Sequence, residues 1–167
     1  MKVLVSDTSV LVDLERGSFL GASFRLPYEF AVPDILYERE LKHYGGETLV
    51  KLGLRIEQLD GDGVTRAVAY RQQRPSLSLP DCFALALARA NSWMLLTGDG
   101  GLRDLAIGEE VDCHGVLWVL DQMEAANAAT PHELNDGLLA ISRHPRCRLP
   151  STELRKRLGL YAKKLSG

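Results

Sequence analysis

Asp7 closely follows the apolar run Val3 to Val5, and Asp99 lies two residues beyond the run Met94 to Thr97. Short apolar runs of this kind read as strands buried on both faces. A carboxylate just past each would stand at the carboxyl edge of a sheet, where α/β folds bind their ligands. Asp81 falls in the first turn of a helix opened by Ser78-Leu79-Pro80, and that helix feeds the second of the two strands. A fourth acid, Glu38 or Glu40, comes from the helix that starts after Pro33. Four carboxylates brought together without basic partners repel one another, and some take up protons. The usual remedy is a hard divalent cation with oxygen ligands. A set without grouped His or Cys points to Mg²⁺ or Mn²⁺ rather than Zn²⁺. Water bound to such an ion can be activated to attack phosphorus, while the ion offsets charge on the phosphate.

The elements that must position these acids are read from periodicity and punctuation. Thr8 or Ser9 is placed to cap a helix ending at Arg16-Gly17. Residues 18–30 read as a loop or short irregular helix, and Ala31-Val32 as a brief strand. Pro33-Asp34 suits the first turn of a helix that runs to Tyr44 and stops at Gly45-Gly46. Leu54, Ile56 and Leu59 suggest a weak strand, and Asp62 a cap for a helix through Gln73. Ser78 opens a helix with Phe83, Leu87 and Ala90 at helical spacing. A helix from about Leu102, a strand at Val111 to Cys113, and helices over 116–123, 131–142 and 152–163 complete the chain. Strands alternating with helices imply an α/β/α sandwich around a mostly parallel sheet, with extra C-terminal helices. We expect a single domain, with a core over about 1–128 and a helical extension over about 129–167.

The chain has 167 residues, 46% of them hydrophobic and 25% charged, which suits a soluble globular fold. A formal net charge of −2 argues against a polybasic nucleic-acid binder and against a disordered acidic chain. The near-neutral total conceals a division. From Arg143 onward eight basic residues accompany one acid, Glu153, so an acidic body carries a basic tail over 143–167. That tail reads either as a phosphate-backbone contact or as a solvated helix packed on the body. Cys82, Cys113 and Cys147 show no paired spacing and read as reduced thiols of a cytoplasmic protein. No apolar run approaches membrane-spanning length. His43, His114, His132 and His144 lack ligand spacing, and Trp93 and Trp118 read as core or interface. Asp13, Glu15, Asp60, Asp62, Glu109 and Glu110 read as solvated or capping acids. Arg71, Arg74, Arg89 and Arg103 flank the acidic motifs and could guide a phosphate backbone.

The stretches Val5 to Asp13, Pro33 to Leu41, Leu79 to Ala88 and Leu95 to Asp99 resemble, in order, the successive motifs of PIN-domain proteins. These are metal-dependent ribonucleases that include VapC-like toxins of toxin–antitoxin pairs. The resemblance implies that Asp7, Glu38, Asp81 and Asp99 bind Mg²⁺ or Mn²⁺ and carry the catalysis, with Thr8 and Thr97 as accompanying hydroxyls. It implies an RNA substrate, an antitoxin partner and a homodimer. Its pattern sets the acid five residues after the proline, which selects Glu38. On a helical wheel Glu40 falls inside the apolar arc of Leu36, Tyr37, Leu41 and Tyr44, with Glu38 at its edge. The chain departs from the pattern in having Gly100-Gly101 where a further acid or amide often follows Asp99; Asp104 is the nearest substitute. Two other readings compete. One is a non-catalytic binding module on the same fold. The other is an aspartyl-phosphate phosphatase with Asp7 as nucleophile, disfavoured because Ser9 stands where a second acid is usual and no lysine lies between Lys51 and Lys156.

Overall fold

Strand β1 (Lys2–Ser6) sends alternate side chains into opposite layers, Leu4 into one apolar cluster and Val5 into the other. A strand buried on both faces belongs in the middle of a sheet covered on both sides. The computed structural model describes residues 1–166; Gly167, the last residue of the expected extension, lies outside the described residues. Strands β2 (Tyr28–Pro33), β3 (Arg55–Glu57), β4 (Met94–Leu96) and β5 (Cys113–His114) join β1 in a five-stranded sheet of order β3-β2-β1-β4-β5. Every pairing is parallel, with Val5 set between Ala31 of β2 and Leu95 of β4. The chain therefore builds outward from β1 on one side and returns to build on the other. The carboxyl ends of β1 and β4 flank that reversal, where a crevice opens in such sheets.

Helices α5 (Gly61–Gln73), α6 (Leu79–Asn91) and α7 (Gly100–Gly108) cover one face of the sheet, around Val5, Leu85 and Leu95. The other face is covered by α1 (Thr8–Arg16), α2 (Leu20–Phe24), α8 (Val116–Ala125), α9 (Pro131–Arg143) and α10 (Ser151–Ser166). The result is an α/β/α sandwich. Helix α3 (Asp34–Leu36) passes into a π turn over Tyr37–Leu41, and α4 (Gly46–Leu52) comes next. Among the described residues no helix is long and apolar enough to cross a membrane.

Several boundaries differ from the sequence expectation, and each has a local cause. Asp7, not Thr8 or Ser9, caps α1, because its carboxylate accepts from the Val10 N–H at 2.9 Å. Asp60, not Asp62, caps α5 by accepting from the Gly63 N–H at 2.8 Å. Strand β2 starts at Tyr28 rather than Ala31, since β1 offers it partners from Lys2 onward. Gly45-Gly46 does more than stop a helix: Gly45 turns the chain at φ 89° and Gly46 opens α4. A Cβ on Gly46 would lie 2.7 Å from the Leu41 carbonyl oxygen, so the turn requires glycine there.

The C-terminal helices are part of the core. Thr130 and Glu133 form the expected capping box of α9. Where α9 crosses the start of the chain, a Cβ on Gly137 would come within 2.2 Å of the Phe19 ring. Helix α10 is held by Arg157, which donates to both oxygens of Asp121 at 2.9 and 2.7 Å, and by buried Tyr161.

Candidate functional site

The site forms where β1 ends. Asp7 is 2% exposed, yet its carboxylate is surrounded by donors. Oδ1 accepts from the Ser9 hydroxyl at 2.8 Å and the Val10 N–H at 2.9 Å. Oδ2 accepts from the Thr97 hydroxyl at 2.5 Å and, weakly, from the Gly98 N–H at 3.4 Å. Thr97 comes from the end of β4, so one hydrogen bond ties together two motifs ninety residues apart. Its hydroxyl oxygen also accepts from the Asp99 N–H at 3.0 Å. Asp99 caps α7 through Leu102 N–H at 2.9 Å, which directs it back toward β1.

Asp7, Ser9, Gly98 and Asp99 line a cavity of about 370 Å³ together with Asp13, Glu40 and Asp81. Asp7, Asp81 and Asp99 are thus brought to one place, as their positions past strand ends and at a helix start suggest. Glu38 is not. Its side chain is 58% exposed and pairs with Lys42 at 3.0 Å. Glu40 enters the cavity instead and accepts a hydrogen bond from the Thr8 hydroxyl. The cause is the π turn over Tyr37–Leu41, marked by a Lys42 N–H donating to the Tyr37 carbonyl at 2.8 Å. A five-residue step of this kind adds a residue to one turn and rotates the residues after it off a 3.6-residue wheel. Glu40 then leaves the apolar arc while Tyr37 and Leu41 remain buried.

Other placements were not legible. Asp13, read as solvated or capping, is half-buried on the cavity wall, where Arg16 reaches it at 3.5 Å. Its position four residues beyond Ser9 on α1, one turn along the same helix face, was the available signal. Asp104 is exposed and lies off the cavity. Arg71, Arg74, Arg89 and Arg103 do not line it either: Arg89 pairs with Glu109, and Arg103 donates to the Thr97 carbonyl. The basic side chains on its wall are Arg16, Arg146 and Arg148. His114 stacks on Trp118 at 4.2 Å between ring centroids, away from the acids.

Burial pushes the Asp7 carboxyl above its ordinary range, against the pull of its hydroxyl and N–H donors. Asp81 is pushed up to about 7, first by burial and then by the charges of Asp7, Glu40 and Asp99, with Ser78 pulling the other way. Among the described residues no three acidic, His or Cys side chains stand close enough to ligate one ion as oriented. Asp7 and Asp99 cap the N-termini of α1 and α7. The chemistry of the donor set nonetheless suits a hard cation: five carboxylates share one cavity, and a divalent ion would relieve their repulsion.

The raised Asp81 carboxyl also makes stability depend on pH. Asp81 prefers its proton in the folded protein and gives it up near pH 4 when unfolded. Its contribution is therefore complete below about pH 4 and is lost as pH rises through about 7. In EDTA, Asp81→Asn should melt a few degrees above the wild type at pH 8 and show little of that gain at pH 4.5. Thermal melts across pH check this; a gain independent of pH would show that Asp81 is not strained by its neighbours.

A family model described as PIN domain matches residues 3–163. Among solved structures, the chain is similar to a PilT N-terminus domain protein from the hyperthermophilic archaeon Sulfolobus solfataricus. The identity is 12% and the TM-score 0.50, over 77% of this chain and 93% of that one. It is also similar to a toxin–antitoxin complex from Klebsiella pneumoniae, at 23% identity and TM-score 0.41, over 59% of this chain and 93% of that one. No curated protein is significantly similar to it in sequence.

Proposed function

The chain belongs to the PIN-domain family, whose members are generally nucleases, and from that premise we propose that it is a metal-dependent endoribonuclease. The observation that carries the reading is the convergence of Asp7, Glu40, Asp81 and Asp99 on one cavity at the carboxyl ends of β1 and β4. A bound Mg²⁺ or Mn²⁺ would supply an activated water and offset the charge developing on the scissile phosphate. Asp7 is the fixed member of the set, since hydroxyls and N–H groups from two strands' ends hold its carboxylate in place. Thr8 orients Glu40 from the same loop. Asp99 is turned by its own cap, and the raised Asp81 carboxyl would exchange a proton for a cation. Glu38 stays outside this assignment.

The test joins binding to activity. Mg²⁺ or Mn²⁺ at a hundredfold excess over its dissociation constant should stabilise the protein by about 2.7 kcal/mol. The same ions should support cleavage of single-stranded RNA that EDTA stops, leaving 5′-phosphate and 3′-hydroxyl ends. A melting temperature indifferent to both ions, with no cleavage, would favour a binding module that keeps the fold without the chemistry. The toxin role rests on the family resemblance alone and brings two further partners, an antitoxin that covers the cavity and a second copy of the chain. A neighbouring reading frame for a small DNA-binding protein would support it, and the absence of one would leave a general nuclease.

A further inference from the structure

We infer that Arg146 and Arg148, on the segment between α9 and α10, are the side chains that grip the backbone phosphates of a single-stranded RNA substrate beside the acids. The inference rests on the nuclease reading above and names how that site holds its substrate.

Both arginines line the acidic cavity although they lie some 140 residues beyond Asp7 in sequence. Both are exposed. Five carboxylates and three guanidiniums share this cavity. Arg16 is drawn to Asp13, yet among the described residues no ion pair involves Arg146 or Arg148. A guanidinium held beside carboxylates without pairing to them retains its five donors for another anion. By formal count the acids exceed the arginines by two, a charge that one divalent cation would cancel. The walls then present cationic forks to a phosphodiester.

The segment also fixes the backbone that carries these side chains. Between the two arginines, Cys147 packs against the core of the α1–α8–α9 layer, and so does Leu149 just after them. The Arg146 N–H donates to His144 Nδ1 at 3.1 Å, and the Cys147 N–H donates to the His144 carbonyl at 3.0 Å. Helix α9 on one side and the Arg157–Asp121 pair on the other fix both ends. Ordering entropy is thereby spent on folding rather than on binding.

The experiment measures affinity and turnover separately. Binding of a fluorescent single-stranded 12-mer RNA is followed by anisotropy across NaCl concentrations, with Ca²⁺ in place of Mg²⁺ to hold the charge of the acids. Two lost phosphate contacts should lower the slope of log K against log salt by about 1.4 in Arg146→Gln/Arg148→Gln. In steady-state cleavage KM should rise about tenfold while kcat stays within a few-fold, because backbone contacts position the strand. Arg146→Lys/Arg148→Lys keeps the charges and should recover the slope. The Mg²⁺-induced rise in melting temperature should persist in all three proteins and be no smaller in the glutamine variant, which shows that the fold and the acids are intact. An unchanged slope and affinity in the glutamine variant would overturn the inference, as would a wild type that does not bind the RNA at low salt. A wild type that binds through these arginines but does not cleave would overturn only the nuclease reading.

Discussion

Asp7→Asn should lower metal-dependent cleavage by at least about 100-fold, since several kcal/mol of charge stabilisation depend on the ion this carboxylate helps to hold. The fold should survive the change. Asparagine keeps the shape, and its carbonyl can still accept from Ser9 and the Val10 N–H. Its amide would face Thr97, whose hydroxyl can turn to accept. The loss of one acceptor costs on the order of 1 kcal/mol. Removing a desolvated charge that also raises Asp81 works in the opposite direction. The variant should therefore melt within a few degrees of the wild type in EDTA and gain much less from Mg²⁺. Single-turnover cleavage and melts with and without Mg²⁺ check both halves. Undiminished cleavage would remove Asp7 from the chemistry.

Glu40→Gln and Glu38→Gln should separate by at least tenfold in cleavage, with Glu40→Gln the impaired one. Glu40 lies on the cavity wall, receives the Thr8 hydroxyl, and contributes to the charge that raises Asp81. Its neutral analogue supplies no charge to a cation. Glu38 makes one exposed pair with Lys42, worth roughly 0–1 kcal/mol and nothing to the cavity. Cleavage by Glu38→Gln should be within about twofold of wild type, and its melting temperature nearly unchanged. Measured kcat/KM for the two variants decides the matter. A loss in Glu38→Gln alone would mean that the segment after Pro33 runs as a regular helix in solution.

The same pair of residues shows where sequence reasoning stops. The acids near strand ends were legible because a short apolar run followed by a carboxylate carries two signals at once, burial and its end. Asp81 was legible because Ser78 and Pro80 mark a helix start. Glu40 was hidden by the assumption of 3.6 residues per turn, and a π turn leaves no composition mark in Tyr37-Glu38-Arg39-Glu40-Leu41. Asp13 was hidden because one acid on an amphipathic helix looks the same whether it faces water or a cleft.

Residue order alone determined the alternation of strands and helices, the parallel sheet and the positions of Asp7, Asp81 and Asp99 near its carboxyl edge. These depend on local propensity, capping and periodicity, which act over a few residues. Tertiary structure decided what depends on distant partners: Thr97 closing on Asp7, the turn that exchanges Glu38 for Glu40, and the basic tail's use of Arg146 and Arg148 at the cavity while Arg157 binds Asp121. The total charge of −2 gave no sign of that meeting. Net charge adds residues without regard to position, and only packing α9 against α1, with α10 on α9, brings the basic end of the chain to its acidic beginning.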